Sequence, residues 1–323
     1  SVQIGKAKNV SIPAGARVID GRKRYRLPGL ADMHVHLDFL ESLPEEMSEQ
    51  DAYTLLLANG ITTVLDMSGF ERLFRWRDRL ERGNVTGPRL YFTSPKLRDT
   101  VASDPSEAEA KVREWAARGY DRLKVHTPIS EPVFRRAMAV ARELEMPVVG
   151  HAARPNVDLS VTLDEGLSML AHAEELLWVQ SPESVEELEA AIDRVPELVA
   201  RLAASDTWLT GTLVVEDVFT RTAGDETFAE QLSSPELAYF PPSLRASWET
   251  DNPVRSDGAS VSLHQRVLDS HVATVSEMKR LAAQDRLLVG TDGGGPALVL
   301  LGFAIHDELR LMAEAGLTPI EVI

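Results

Sequence analysis

The sequence predicts an α/β fold, namely a (β/α)8 TIM barrel. Short apolar runs that are typical of buried strands alternate with amphipathic segments of helical period along the 323-residue chain. Eight apolar runs of this kind are present, and a closed parallel barrel of this type is built from eight strands. Glycine follows several helical segments, as at Gly60 and Gly119, where a left-handed residue commonly ends a helix. These observations together predict parallel strands joined by helices.

The boundaries of the predicted elements follow from where the periodicity changes. The predicted strands span residues 31–37, 61–67, 88–94, 121–126, 147–152, 168–173, 207–214 and 286–292. The predicted helices span residues 49–59, 71–82, 105–118, 131–144, 184–204, 263–283 and 304–315, with a short helical turn at 159–166. We expect the barrel to occupy residues 28–323, and residues 1–27 to form an amino-terminal β segment with β character at 2–4 and 18–19.

Composition and charge narrow the class of partner. Hydrophobic residues make up 44% and charged residues 26% of the chain, as in ordinary globular proteins. Asp plus Glu number 50 against 34 Lys plus Arg, and the resulting net charge of −16 argues against nucleic acid and anionic membranes. No run is long enough to span a membrane, so a cytoplasmic protein that binds a small molecule is the default expectation. The first residue is Ser1 rather than Met, which weakens that expectation about location because a leader can have been removed.

A pair of histidines is the strongest single indication of function. His34 and His36 stand two residues apart inside an apolar run, and alternate side chains of a strand share one face. Two imidazoles on one face can hold one metal ion. The alternative is that both histidines titrate on a solvated strand face. The chain has no cysteine, so any transition metal would need nitrogen and oxygen ligands.

Four more polar residues lie at or near the ends of predicted strands. Lys124 is in the fourth strand, His151 and His172 end the fifth and sixth, and Asp292 ends the eighth. Taken alone, His151, His172 and Asp292 are each more typical of a hydrogen-bonded core or surface residue than of a ligand. The carboxyl ends of barrel strands converge on one face, so the group as a whole predicts a metal site there.

The longest insertion follows the seventh predicted strand. It spans roughly residues 215–262 and contains several prolines and the aromatic pair Tyr239-Phe240. We expect this βα loop to lie over the active-site end of the barrel and Tyr239 to contact substrate. The alternative is a packed surface excursion without ligand contacts.

Several segments resemble the amidohydrolase superfamily, whose members carry His-x-His after the first barrel strand, Lys after the fourth, His after the fifth and sixth, and Asp after the eighth. The segments are PGLADMHVHL, DRLKVH, VVGHA, MLAHAEEL and VGTDGGG. The resemblance runs from about residue 15 to the end of the chain. Further segments are similar to the prolidase-like and imidazolonepropionase-like amidohydrolases, namely ANGITTVLDMSG, GPRLYFTS, PELAYFPP and HDELRLMAEAGLTPIEVI.

The resemblance implies two divalent metal ions, with zinc as the expected metal. The implied ligands are His34, His36, Lys124, His151, His172 and Asp292. The two histidines of the first strand and Asp292 would hold one ion, and His151 and His172 the other. Lys124 can bridge them only after carboxylation, because an ammonium cannot bind a cation whereas a carbamate is an anion with two oxygens. The alternative for Lys124 is a barrel lysine paired with an acid.

The resemblance also implies roles for residues around the metals. Asp292 is expected to act as general acid/base by taking a proton from the attacking water and passing it to the leaving nitrogen. His126 stands where relatives often carry Tyr, and we expect it to contact substrate or support a ligand. Arg154 is a candidate partner of a substrate carboxylate, with a surface salt bridge as the alternative. His306 is a candidate at the mouth of the site, with a helix-surface position as the alternative.

These indications predict a metal-dependent amidohydrolase that cleaves an amide or peptide-like C–N bond of a small substrate, with dipeptides first. A lactonase, a phosphotriesterase or a cyclic-amide hydrolase could use the same site, because the same ions serve any polarised electrophile. A barrel that binds a ligand without catalysis is the alternative of another class. Relatives add a small β-sandwich built from both chain ends, so residues 1–27 are expected to be its remnant in a chain trimmed at both ends. A homo-oligomer is possible.

Overall fold

The (β/α)8 barrel is confirmed by a computed structural model, which describes residues 9–43, 45–155, 157–250, 252–257 and 259–323. Eight strands form one sheet, and each strand pairs in parallel with the next along the chain. The strands are β1 Leu30–Val35, β2 Ile61–Asp66, β3 Arg89–Leu97, β4 Arg122–Val125, β5 Val148–Gly150, β6 Met169–Ala171, β7 Trp208–Thr210 and β8 Leu287–Leu288.

The two ends of the sheet are joined by hydrogen bonds between β1 and the residues that follow β8. Met33 N donates to Val289 O at 2.9 Å, Asp292 N donates to His34 O at 2.7 Å, and His36 N donates to Gly293 O at 2.9 Å. Because these bonds complete the ring of strands, residues after β1 and residues after β8 come to lie side by side.

Helices follow the strands and form the outer layer. They are α1 Glu49–Ala58, α2 Arg72–Glu81, α3 Pro105–Arg118, α4 Glu131–Glu143, α5 Leu159–Asp164, α6 Glu175–Trp178, α7 Val185–Ala204, α8 Leu213–Ala223, α9 Asp225–Leu232, α10 Pro242–Thr250, α11 Pro253–Asp257, α12 Val261–Arg280, α13 Ala304–Glu314 and α14 Pro319–Val322. Each predicted helix is present. The bounds of α3 show why such helices are predictable from sequence. At its start, Asp104 accepts hydrogen bonds from two backbone N–H groups and Pro105 follows it, and Gly119 ends the helix with φ 94°.

The segment after β7 differs from the prediction. Residues 213–214 begin α8 instead of continuing a strand, and most of the expected loop at 215–262 is helical. Pro242 and Pro253 lie within this predicted loop, and each is the first residue of a helix. Proline is well tolerated there because the first turn has no internal partner for its missing N–H.

The buried apolar side chains of the described residues form three clusters, one of which packs α8, α12 and α13 together. Most buried apolar side chains lie in a large cluster that includes residues of both strands and helices. A small separate cluster contains Leu65, Met67, Val149, Met169 and Ala171. Because side chains fill a barrel of this size, polar groups that bind ligands are found at its ends.

The amino-terminal segment has no strand between residues 9 and 29. Val18 and Ile19 are exposed there, and residues 2–4 lie outside the described part of the chain. The β-sandwich remnant and the domain boundary at residue 27 therefore stay predictions. Separately, no helix among the described residues combines the length and the apolar character needed to cross a membrane.

Candidate metal centre

All of the predicted metal ligands line one cavity of about 530 Å³. It lies where the strands end, and its lining residues are His34, His36, Asp38, Phe39, Lys96, Lys124, His126, His151, His172, Glu174, Val215, Phe219, Asp292, Gly294, Gly295 and Pro296. The fold thus brings residues from six of the strand ends together, as the sequence predicted for a barrel.

His34, His36 and Asp292 bring three possible ligand atoms to one point. Asp292 Oδ1 lies 3.3 Å from His34 Nε2 and 3.0 Å from His36 Nε2, and these two nitrogens lie 3.3 Å apart. Ligand atoms about 2.1 Å from one ion stand about 2.9 Å apart in octahedral and about 3.4 Å apart in tetrahedral geometry. Asp292 Oδ1 is also buried without a well-formed hydrogen bond among the described residues. The three atoms therefore fit around a single divalent ion.

The other histidines continue this group along the strand ends. Ligand atoms of His34, His172 and Asp292 all lie within 4.8 Å of one another, so this set too could hold a metal ion. The ring centroids of His34 and His172 are 4.5 Å apart, and those of His172 and His151 are 5.0 Å apart. His126 stacks next, 4.2 Å from His151. The imidazoles thus form one continuous row.

Hydrogen bonds to Nδ1 orient three of these rings. Glu175 Oε1 lies 2.6 Å from His151 Nδ1, and a carboxylate can only accept, so Nδ1 carries the proton. Thr212 Oγ1 lies 2.8 Å from His172 Nδ1, and it donates its own proton to Gly211 O. Each ring therefore keeps the Nε2 lone pair free for a metal ion.

His36 is oriented in the same way by a hydroxyl group. Ser68 Oγ donates to Asp38 Oδ1 at 2.8 Å, so the contact of 3.1 Å between Ser68 Oγ and His36 Nδ1 has the imidazole as donor. Such outer partners set ring orientation and ligand basicity in metal sites.

Three residues at adjacent strand ends have a left-handed backbone. The φ angles are 73° at His172, 48° at Thr212 and 60° at Asp292. This conformation is costly for residues other than glycine and is found mainly where surrounding structure imposes it, often at functional sites. Asp32 helps to impose it near Asp292, because its buried carboxylate accepts hydrogen bonds from Thr291 N and Thr291 Oγ1.

Burial keeps most of the imidazoles neutral. It lowers the pKa of His172 to about 3 and that of His126 to about 3, and it also lowers the pKa of His151. Burial alone would raise the pKa of Asp292, but His34 and His36 hold it well below its ordinary value. Burial would also lower the pKa of His36, but the charge of Asp292 raises it to about 9, so His36 must lose a proton before it binds a metal ion. The other three imidazoles and the Asp292 carboxylate are already in the forms that bind metal ions.

Lys124 is buried in the same cavity without a carboxylate partner. Its side chain is 1% exposed, and within the described ranges no acidic oxygen lies within 4 Å of its amine. Burial lowers the pKa of Lys124 to about 7, with nearby Lys96 adding to the effect. A paired barrel lysine, the alternative considered from the sequence, is not what the structure shows.

The four predicted substrate contacts fall in different places. His126 lines the cavity, and its Nδ1 donates to Thr127 O at 2.9 Å. The Arg154 guanidinium is bound to both oxygens of Glu175. Tyr239 is 64% exposed with its ring 5.7 Å from Phe303, and His306 Nε2 lies 3.0 Å from Asn59 Oδ1 on the outer layer. Of these, the cavity lining includes His126 alone.

Sequence reasoning missed four charged residues of the site. Asp38, Lys96 and Glu174 line the cavity, and Glu175 lies beneath His151. Glu174 and Glu175 follow His172 closely in the motif AHAEEL, so the acidic pair was visible. Nothing local distinguishes which of two adjacent acids faces the cavity. Lys96 lies in β3, for which the sequence offered no ligand pattern.

Glu175→Gln is expected to destabilise the protein by about 3 kcal/mol, because removing one member of a buried ion pair leaves its partners with unmet charge and hydrogen bonds. Glu175 is fully buried and bonded to His151, Arg154 and Ala152 N. Urea denaturation of metal-free protein at pH 7 measures the difference. The exposed Glu114→Gln, which removes a pair with Lys111, is the control and should change stability by less than about 0.5 kcal/mol.

The difference in stability between the parent and Glu175→Gln should also depend on pH, and it should become smaller as the pH falls. Burial would raise the pKa of Glu175, but His151 and Arg154 hold it at about 2, below the ordinary 4.5. A lowered pKa gives stability that is complete above the unfolded value and is lost as pH falls through the folded value. The gap between the parent and Glu175→Gln should therefore shrink below about pH 4.5. A variant as stable as the parent at pH 7 would contradict this account.

This fold and site define a (β/α)8 barrel protein with a candidate metal centre. A row of histidines and an aspartate at the strand ends forms that centre. Residues 25–323 match the family model for the amidohydrolase family. The chain therefore belongs to the amidohydrolase family, as its strand-end motifs predicted. No curated protein sequence matches it.

Solved structures with the same fold include several amidohydrolases and peptidases. Bottromycin amidohydrolase superposes with a TM-score of 0.70 at 22% identity, over 92% of this chain and 64% of that one. Molinate hydrolase gives 0.61 at 16% identity, over 99% and 76%. A Xaa-Pro dipeptidase with bound methionine in its active site gives 0.57 at 16% identity, over 92% and 72%. The chain thus spans between 64% and 76% of the length of these proteins. At identities of 16–22%, the structural similarity shows a shared fold.

Proposed function

We propose that this protein is a metal-dependent hydrolase that cleaves an amide or peptide-like C–N bond of a small substrate. The observation that carries the proposal is the meeting of His34 Nε2, His36 Nε2 and Asp292 Oδ1 within 3.0–3.3 Å of one another in an open cavity. Membership of the amidohydrolase family supports a hydrolase. A cavity of about 530 Å³ suits a molecule of dipeptide size.

Two divalent ions, with zinc as the expected metal, fit the donor set. His34, His36 and Asp292 would hold the first, and His151 and His172, whose Nε2 atoms are left free, would hold the second. When bound, the ions supply an activated water and a Lewis acid for the scissile carbonyl.

The protein's own residues handle the proton. The Asp292 carboxylate stays ionised near neutral pH, since its pKa lies well below its ordinary value. It can therefore take a proton from the attacking water at its Oδ atoms and pass it to the leaving nitrogen, the general acid/base role expected from the sequence. The row of neutral imidazoles ends at His126, where Nε2 is left to accept from or orient the substrate.

Lys124 completes the site as a carbamate. The reaction joins the neutral amine to the carbon of carbon dioxide and releases one proton, so an ammonium must first lose its proton. Burial of Lys124 favours the neutral amine, and the absence of an acidic partner within 4 Å among the described residues leaves the amine available. The product is an anion with two oxygens, suited to bridge two ions.

Lys96 takes the role expected of Arg154, as the partner of a substrate carboxylate. It lines the cavity, and no acid within the described ranges lies within 4 Å of its amine. Arg154 cannot serve in the same way because its guanidinium is bound to Glu175. A dipeptide would place its carboxyl group towards β3.

Lys96→Met is expected to raise KM about 10-fold for a dipeptide with a free carboxylate, because the variant loses a charge-assisted contact. The same dipeptide with an amidated carboxyl end should show a much smaller change. Steady-state kinetics on both substrates gives the comparison, and Lys111→Met on the exposed face of α3 is the matched control. An equal loss on both substrates would indicate a structural role for Lys96 instead.

The decisive experiment for the proposal is a substrate screen on metal-loaded protein, with and without chelator. Dipeptides and N-acyl amino acids are expected to be hydrolysed in a chelator-sensitive way. Turnover confined to lactones, phosphotriesters or cyclic amides would keep the metal site and change the bond cleaved. Metal binding without turnover of any class would favour a ligand-binding barrel. The oligomeric state and cellular location stay predictions from the sequence.

A further inference from the structure

Glu174 is an acid of the cavity that the proposed chemistry leaves unused. It follows His172 by two residues, precedes α6 and lines the same cavity as the metal ligands. In the part of the chain that the structure describes, its carboxylate has no ion pair within 4 Å and no side-chain hydrogen bond. A carboxylate that is partly withdrawn from water and has no internal partner is matched to a cation from outside the protein.

The acids next to Glu174 already have partners. Glu175 is bound to His151 and Arg154, and Glu216 Oε1 lies 2.6 Å from His264 Nδ1. Burial, followed by the negative charges of Glu175, Glu216 and Asp292, raises the pKa of Glu174 to about 8 against the opposing charge of Arg154, and a cation bound beside Glu174 would lower that pKa again. The side of the cavity around Glu174 therefore has a negative potential that attracts positive groups.

The opposite charges of the cavity come from a different set of strands. Lys96 and Lys124 belong to β3 and β4, whereas Glu174 follows β6. Strands stand in chain order around the ring, so β3 and β6 are three positions apart. The cavity thus has a basic side and an acidic side with the row of histidines between them.

An apolar surface adjoins the acidic side. Val215 and Phe219 are one turn apart on α8, and both line the cavity together with Glu174. An organic cation with a hydrocarbon stem would find contact for the stem on this surface and a charge partner at Glu174.

We infer that Glu174 determines specificity by selecting substrates that carry an ammonium group on an alkyl stem. The inference rests on the proposed function and deepens it, because it names the substrate class of the same cavity. The ammonium group could be the α-amino group of a peptide or the side-chain amine of a lysine-like residue. Both sources share the chemistry that Glu174 recognises, and matched probes separate them.

Binding is measured first, since it does not depend on turnover. The probes are lysine amide, Nα-acetyl-lysine amide, norleucine amide and Nα-acetyl-norleucine amide, titrated by calorimetry into metal-loaded protein. The parent is expected to bind a cationic probe at least about 10-fold more tightly than the doubly neutral one, the size of effect typical of a charge-assisted contact. Preference for norleucine amide over its acetylated form identifies the α-amino group. Preference for Nα-acetyl-lysine amide over its norleucine counterpart identifies the side-chain amine.

Variants then assign the preference to Glu174. Glu174→Gln keeps shape and removes charge, and it should reduce the ratio of cationic to neutral affinity by about 10-fold or more. Glu174→Asp should retain part of that ratio, and Glu114→Gln, an exposed control on α3, should retain all of it. Thermal melts check that each variant is folded.

The outcomes separate this inference from the proposed function. A parent without preference for cations, or a Glu174→Gln variant that keeps the full preference, would overturn the role of Glu174 even if peptides are hydrolysed. A preference that disappears in Glu174→Gln would support that role even if the substrate screen finds no peptide hydrolysis. In that second case the results support cation binding in the cavity and contradict the proposed hydrolysis of peptides.

Discussion

Asp292→Asn is expected to lower kcat/KM by about 1,000-fold or more, the largest effect of any single change in the site. Asp292 has two functions in the proposed centre, as metal ligand and as proton carrier. Its Oδ1 lies 3.3 Å and 3.0 Å from the Nε2 atoms of His34 and His36, and among the described residues no other carboxylate pairs with both histidines. An amide keeps the size of the side chain but cannot accept a proton at neutral pH.

Metal content separates the two functions of Asp292. If Asp292→Asn retains its metal and loses activity, the main contribution of Asp292 to activity is proton transfer. If the variant also loses its metal, the main contribution is metal binding. Asp193→Asn, on an exposed position of α7, is the matched control and should behave as the parent. Undiminished hydrolysis by Asp292→Asn at full metal loading would rule out the proposed mechanism.

Lys124→Ala is expected to have the second largest effect, measured directly as metal ions per chain. Protein purified without chelator from cells supplied with bicarbonate should carry about two ions per chain, and the variant one or fewer, because a bridging anion is lost. Growth with labelled bicarbonate should also give a carbamate carbon signal by nuclear magnetic resonance in the parent and not in Lys124→Ala. Lys111→Ala, on the exposed face of α3, controls for the loss of a lysine.

Other results of this experiment carry definite meanings. One ion in both proteins, with no carbamate signal, would indicate a mononuclear enzyme in which Lys124 has another task. No metal in the parent, even after incubation with zinc, manganese or cobalt, would overturn the catalytic proposal as a whole.

Most of the barrel was predictable because its strands and helices have strong local signals. The strands are apolar and the helices amphipathic, and boundaries are marked by residues such as Asp104 and Gly119 whose backbone preferences are local. The region after β7 was harder. Pro242 and Pro253 lie in the segment predicted as a loop, and in the fold each begins a helix. Proline alone does not distinguish the first turn of a helix from a loop, because its fixed φ suits both; at Pro105 the preceding cap residue Asp104 makes the difference.

The sequence also predicted which residues line the site as candidate metal ligands. It did not predict which residues form hydrogen bonds with those ligands. His151 was expected from its place at a strand end, yet Glu175, which orients it, comes from the start of α6. Arg154 follows His151 by three residues and was expected to face substrate. Instead, both oxygens of the buried Glu175 carboxylate accept hydrogen bonds from the Arg154 guanidinium. A buried carboxylate is costly without a charged partner, and Arg154 supplies one.

The sequence by itself determined the order of most strands and helices and the set of candidate metal ligands that reach the cavity. Both follow from local periodicity, because the end of a strand in a parallel barrel has only one face to go to. The tertiary structure decided which charges are neutralised and which remain open. Glu174 and Glu175 are neighbours in the chain, yet one is bound within the protein and the other lines the cavity. Adjacent residues at a helix start point in different directions, and what each meets there depends on segments distant in sequence.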